Sequence, residues 1–516
     1  MRTATQSTVP YRAVTVLIAT SLLAGPGCGG ASSGEASNEY IAPAAQAPVV
    51  TPAWQPASDD SVQLTRGADF DYHQVGFTLS SAGQIASFDP QGDRHDSFPT
   101  TVLENRYVRA TLLPGYGGRI VSLIDKRTGH EQLYRNPLGL PYVIGGGAFY
   151  YDWLQLLGGI FPTFGPEHGK AWNQPWTLDV VSQTPAAVTV VMRWTDSVSA
   201  WRDLNLTVPF NFTRYSDASG LQLRYYVTLR AGRAALDTRI EIANPGTSTV
   251  DYEYWTNASL APGSDPANPQ AAAGAEIVYP LQYVTTSWCG SDSRCRKTME
   301  QMKVVHGGPR SGIYDFTPLR QYGNWPDWGI FYAQGGMQNR NFWGVINHDN
   351  QEGLIRVADN QFTSGMKFWT FGYPTSKGLD MAAMRLTSNR PFIELWAGSV
   401  SEFFRTAPIA PGETQKQAEV YAPTIGLPDI TSANDNFLVS LHVADRQASA
   451  QIAPLFPGQA LDYTLSQDGK VIGSGRIESS AESPVKLSAP AGGSAAARLT
   501  LRDAAGNLVF DSDASR

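Results

Sequence analysis

The chain has 516 residues, with 39 Lys and Arg against 46 Asp and Glu, a net charge of −7 and no run of basic residues, so the electrostatic footprint of a nucleic-acid partner is absent. Hydrophobic residues make up 42% and charged residues 16%, with 49 Gly and 34 Pro, which suits many short strands joined by tight turns. The length predicts two folded units.

At the N-terminus Arg2 and Arg12 precede an apolar run over 13–24 that is too short to span a bilayer and has the form of a signal-peptide core. The chain is therefore expected to be exported. Gly25-Pro26-Gly27-Cys28 follows and resembles a bacterial lipoprotein cleavage site, with Gly25 where Leu is usual. On this reading residues 1–28 are a signal peptide ending at the lipidated Cys28, the lipid is the only contact with a membrane, and the location is the cell envelope, at its periplasmic or outer-membrane face. Residues 29–59 are Ala, Ser, Pro, Gly and Gln with few large apolar groups, which reads as a disordered tether.

The first strands of a large β unit are expected within 61–98, for example over 75–79. From 103 to 136 the pattern sharpens: a strand over 107–113, a turn at Pro114-Gly115-Tyr116-Gly117-Gly118, a strand over 120–124, a turn at Asp125-Lys126-Arg127-Thr128-Gly129 and an outgoing strand from 131. Further strands are predicted over 187–194, 204–212, 221–229, 235–242 and 249–259, a spacing that suggests stacked antiparallel sheets. Residues 261–274 and 307–326 are loop-rich, with a short helix expected over 297–304. Cys289 and Cys295, in SWCGSDSRC, have the spacing of a loop disulfide in an oxidising compartment; a metal site is the alternative, against which stands the lack of a nearby His. Strands resume over 328–332, 342–346, 353–357, 366–371 and 392–397, and 411–428 reads as a Pro- and Gly-punctuated exit. The large unit spans 60–430. After Asp435 the composition turns small and less aromatic, and strands over 437–443, 460–466, 470–477, 484–487, 497–501 and 508–510 predict a small immunoglobulin-like β-sandwich over 435–516, a spacer or docking module.

Several constellations can carry chemistry. Alternation over 392–397 puts Phe392, Glu394 and Trp396 on one side and Ile393, Leu395 and Ala397 on the core side. Desolvation of Glu394 among aromatic rings would raise its pKa and suit it to acid or base work; a structural pairing with Arg390 is the competing reading. Over 251–257 the same test groups Asp251, Glu253, Trp255 and Asn257, either a row that grips sugar hydroxyls while the indole stacks or a solvated outer face. His168 lies in a turn-rich loop ahead of Trp172, and His348 in Asn347-His348-Asp349-Asn350. Arg119 closes the first hairpin turn, where its planar fork could hold a uronic carboxylate or a hairpin salt bridge. No phosphate-binding loop, HExxH, GxSxG or paired CxxC motif occurs, and no cofactor is expected.

The strand, PGYGGR turn, strand and DKRTG turn, followed in order by YRNP (134–137), GPEHG (165–169), YWTN (254–257), NHDN (347–350), GMKF (365–368) and IELWAG (393–398), resemble the galactose mutarotase-like superfamily. Within it the chain looks closest to a bacterial family known as a domain of unknown function. The resemblance implies an all-β fold, an antiparallel β-supersandwich over about residues 60–425, and a carbohydrate ligand. It also implies that Glu394 is the general base and that His168 matches one of the superfamily's two catalytic-region histidines. The second is missing from 254–257, which puts simple mutarotation in doubt; His348 is the candidate replacement. Two functions remain open: acid–base chemistry on a sugar or oligosaccharide (epimerase-, lyase- or hydrolase-like), with Trp172, Trp255 and Trp396 helping to hold substrate, or non-catalytic glycan binding by a surface lipoprotein.

Because 29–59 carries almost no core-forming residues, a chain starting near Asp59 should melt within a few degrees of the longer mature chain. A larger fall in thermal scanning would show that the tether packs on the domain.

Overall fold

A computed structural model describes residues 60–513 apart from 75, 80–84, 89, 137, 140–157, 166–169, 173, 199–216, 287–288, 290–292, 309–311, 338–339 and 374–389. The signal, lipidation and tether expectations, His168 and the strand expected over 204–212 lie outside the described residues.

The first hairpin forms where its sequence demands it. Val108–Leu113 pairs antiparallel with Arg119–Asp125, and the turn between them is possible because Gly117 and Gly118 hold φ of 80° and 55°, a region costly for side chains. A Cβ on Gly117 would also stand 1.8 Å from the carbonyl oxygen of Trp172. The next turn closes on a hydrogen bond from Gly129 N to Asp125 O (2.7 Å) before His130–Leu133 runs outward.

Among the described residues, thirteen strands form one large sheet and eight form a second. Six strands of the large sheet matter here: β1 (Arg119–Asp125), β2 (Gly159–Phe164), β3 (Tyr254–Ser264), β4 (Gly329–Ala333), β5 (Gly365–Thr370) and β6 (Ile393–Gly398). They lie side by side, antiparallel, in the order β1-β2-β3-β6-β5-β4. One face packs on the eight-stranded sheet: Ile160, Ala258, Leu260, Leu395 and Phe368 meet Val190, Leu223, Tyr225, Ile240 and Tyr421 in a single core. Buried within that core, Arg356 gives Nε and Nη2 to Glu419 Oε1 (2.8 and 2.6 Å) and Nη1 to Asn360 (2.6 Å), so its charge is satisfied rather than stranded.

The 411–428 segment is not an exit. Thr414–Ile425 is a twelve-residue strand central to the eight-stranded sheet, pairing Leu236–Ala243 on one side and Glu352–Val357 on the other. Prolines disguised it: Pro411 and Pro428 bracket the strand, and Pro423 lies within it, where Pro is normally confined to edges. The short helix is Ser293–Met299, displaced toward the N-terminus from 297–304. Cys289 and Cys295 form a disulfide with Cα atoms 5.0 Å apart.

The C-terminal unit is two four-stranded sheets face to face, with Phe437, Val439, Leu461, Leu465, Leu499, Leu501, Val509 and Phe510 between them. Its first strand starts at Ser432, and it includes Gln447–Pro454, a strand whose short Ala and Ser side chains hid it. This sandwich covers the outer face of the eight-stranded sheet. Phe342, Ile346, Ile355, Val357, Val420 and Ala422 pack against Leu427, Ile430, Ala433, Leu438 and Leu455. Polar ties flank the apolar patch: Arg233 donates to Asn436 Oδ1 (3.0 Å) and Asp435 O (2.5 Å), and Arg127 to Ala481 O (2.5 Å).

Leu438 is wholly buried in this junction. Leu438→Ala should cost about 2–5 kcal/mol and lower the urea midpoint of the whole chain. A second, separate unfolding transition in the wild type would show instead that the two units are thermodynamically independent.

Candidate functional site

The other face of the large sheet carries Glu394, Trp396 and Asn257, which the sequence singled out. Register and alternation bring them together: Asn257 on β3 stands opposite Phe161 on β2 and Trp396 on β6, and Trp396 stands opposite Lys367 on β5. One step along, Ser259 faces Glu394, and Glu394 faces Trp369. Both faces of β6 are buried over all six residues. The aliphatic side chains go to the inter-sheet core, as expected, and Glu394 and Trp396 go to an opposite side that is just as dry.

Glu394 has no exposed surface. Trp396 Nε1 donates to its Oε2 at 2.9 Å. Ser259 Oγ lies 3.3 Å from Oε1 and 3.1 Å from Asn257 Oδ1, so one hydroxyl proton is shared between two acceptors. The Asn257 amide sits beside the carboxylate and favours its ionised form. Burial pushes the Glu394 carboxyl above the usual range; the charge of Lys367 and the hydrogen bonds pull the other way without cancelling it. The Lys367 ammonium rests over the Trp396 ring, 3.6 Å from its centroid, and 3.9 Å from that of Phe403.

A second carboxylate and indole repeat this arrangement on β3 and the residue before it. Trp255 Nε1 donates to Glu253 Oε1 at 2.9 Å, and the same oxygen accepts Phe404 N at 3.1 Å. Phe404 holds φ of 62°, a conformation that persists in a non-glycine residue only where its surroundings enforce it. Glu253 thus fixes the segment whose Phe403 ring meets Trp255 and Trp396 edge-on, at 5.2 and 5.3 Å.

Other expectations need correction. Glu253, Trp255 and Asn257 are buried, so their row is not a solvated outer face. Trp255 and Trp396 are likewise no open stacking platforms, since their rings are packed and their N–H groups are held by carboxylates. Trp172 is buried and serves through its backbone. Its carbonyl accepts Arg119 Nη2 (2.6 Å), while Arg119 gives Nε to Tyr116 O (2.8 Å) and Nη1 to Gly158 O (2.7 Å). All three arms of the guanidinium are spent on carbonyls, so Arg119 makes neither the expected hairpin salt bridge nor an open fork for a carboxylate. Burial lowers its pKa to about 10. His348 bonds Glu276 at 2.7 Å beside the eight-stranded sheet, which removes it from the Glu394 face. Arg390 approaches Arg135 O at 3.5 Å rather than Glu394.

Sequence reasoning missed Lys367, Ser259 and Phe403. Lys367 was findable: alternation over GMKFWT puts it with Trp369, opposite Met366 and Phe368, and a Lys inside an apolar strand is an anomaly. Among the described residues no group of three His, Cys, Asp or Glu is arranged to hold a metal. A polar cleft of about 560 Å³ lies elsewhere, lined by Asp60, Gln63, Glu104, Arg106 and Lys126 among others, and none of the expected site residues borders it.

Comparison with known proteins fits this architecture. Residues 87–273 match the model of DUF5107, a domain of unknown function. A TPR-domain containing protein from Parabacteroides distasonis is 19% identical over 74% of this chain with a TM-score of 0.51, and the chain spans 58% of that protein's length. Galactose mutarotase-like proteins from Clostridium acetobutylicum and Lactobacillus casei are each 11% identical, over 64% and 63% of this chain and 96% and 100% of theirs, with TM-scores of 0.42 and 0.37.

The raised carboxyl has a consequence for stability. A group that binds its proton more tightly when folded adds stability that is complete below the ordinary carboxylate pKa and is lost as pH rises through the folded value. Urea titrations at stepped pH should therefore show the wild type losing stability over that window relative to Glu394→Gln. Parallel curves would contradict the burial argument. Residues 87–273 thus resemble a DUF5107 domain, and the fold that contains them is all-β.

Proposed function

We propose that the protein is an exported carbohydrate-active enzyme in which Glu394 is the general base for chemistry on a sugar or oligosaccharide. The observation that carries this reading is a carboxylate with no exposed surface and a raised proton affinity, set among two indoles, a hydroxyl, an amide and an ammonium on one sheet face. A base whose pKa is drawn toward the working pH is both deprotonated often enough and basic enough to abstract a proton. The proton would come from a sugar hydroxyl in an epimerase-like reaction, from the attacking water in a hydrolase-like one, or from a carbon beside a carboxylate in a lyase-like one.

Export and anchoring through Cys28 belong to the same reading, since the 13–24 run and the cysteine after it fit a lipoprotein signal. A carbohydrate is then the partner, and the lipid the only tie to a membrane. Non-catalytic glycan binding is the second reading. What favours it is that His348 is engaged with Glu276, away from Glu394, which leaves the usual imidazole acid unsupplied by that residue.

Glu394→Gln separates the two. It keeps shape and hydrogen bonding but cannot take a proton, so on the enzyme reading turnover falls by roughly 100-fold or more with sugar affinity nearly unchanged. On the binding reading there is no turnover to lose and glycan affinity changes by about 1–2 kcal/mol. Full activity of the variant on a sugar that the wild type turns over would refute the assignment of Glu394.

A further inference from the structure

Lys367 is the one cation on the Glu394 face among the described residues that the strand register places next to the carboxylate. It stands directly across from Trp396, while Glu394 stands across from Trp369, so Lys367 and Glu394 are diagonal neighbours on adjacent strands. Its side chain is fully buried, and two aromatic faces receive its ammonium, Trp396 at 3.6 Å and Phe403 at 3.9 Å from their centroids. Aromatic faces stabilise a desolvated cation without neutralising it. Trp396 therefore does two things at once, giving its N–H to Glu394 and its π face to Lys367. Phe403 is held in turn through the Glu253 contact with Phe404 N.

We propose that Lys367 is the positioning residue of this site: a fixed cation, clamped between Trp396 and Phe403, that keeps Glu394 ionised and aimed, and so sets the pH at which it can accept a proton from substrate. The proposal deepens the general-base reading of Glu394 and rests on it for its meaning in catalysis. Its electrostatic content can be measured without any substrate.

The groups that face the carboxylate support this assignment. Lys367 lowers the proton affinity of Glu394 against the effect of burial. Tyr134 faces Glu394 from beyond the His130–Leu133 strand, and Arg390 acts on Tyr134; burial raises the phenol far above its ordinary range, so it stays neutral throughout. Asn257, Ser259 and Trp396 are dipoles without net charge. Lys367 is thus the charge that can keep the carboxylate deprotonated in a dry setting.

The test is infrared titration of the full chain, with the Glu394 carboxyl band isolated by subtracting the spectrum of Glu394→Gln. In Lys367→Met and Lys367→Gln the midpoint of protonation should rise by about one pH unit or more, while Lys367→Arg should hold it within roughly half a unit of wild type. Should the neutral variants not fold, Phe403→Leu, which loosens the ammonium, should move the midpoint in the same direction by less. A midpoint unmoved by loss of the charge, or moved as far by Arg as by Met, overturns the proposal. Where a sugar substrate is turned over, the acidic limb of kcat/KM should shift with the band while KM holds. A wild type that acts on no sugar, with the band shift intact, would sink the enzyme reading and leave the charge relation standing, so the two failures are distinguishable.

Discussion

The central constraint is that β6, Ile393–Gly398, has no wet side. A strand covered on both faces normally reads as an unbroken apolar run, yet this one carries Glu394, fully buried. Everything around it answers that cost. β3 supplies Ser259 and Asn257 at matching register, Trp396 two residues on turns its N–H back, and β5 brings a lysine alongside. A one-residue slip of either neighbouring strand would put these groups into the aliphatic core and leave the carboxylate unaccompanied.

The large scaffold keeps that register. The inter-sheet core joins β2, β3, β5 and β6 to the eight-stranded sheet, and the Arg356–Glu419 pair pins Glu352–Val357 to Thr414–Ile425 within it. Outside, the C-terminal sandwich seals the remaining apolar face of that second sheet. A spacer joined by a free linker would not bury residues such as Ile355 and Leu438 together, so the sandwich is a docked part of the structure.

Legibility in the sequence followed the strength of local signals. The hairpin around Gly117 and Gly118 could be read because only glycine tolerates its backbone and its approach to Trp172. The face of Glu394 could be read from period-two alternation, and so could its desolvation. Thr414–Ile425 could not, because its polar beginning and Pro423 imitate a loop, and its strand character comes from partners far away in sequence. Arg119, Trp172 and His348 were misplaced for a related reason: a side chain's chemistry says what it can bind, while the fold decides whether carbonyls or Glu276 claim it first.

The buried charges themselves separate structure from function. Lys170 meets Asp196 at 2.6 Å, with Ser219 also donating to that carboxylate; Arg356 meets Glu419 at 2.6 Å, with Asn360 and Thr363 completing its shell; Arg119 is capped by three carbonyls. Each is met by directed hydrogen bonds from or to fixed neighbours, which is how a fold disposes of a charge it only needs to store. Glu394 is treated differently. It shares an indole with its lysine, the N–H on one side and the ring face on the other, while burial shifts it toward its neutral form as it does Lys170 and Arg119. A charge held by polarisable neighbours can change state without breaking an ion pair, and that is the property a proton-transfer group requires.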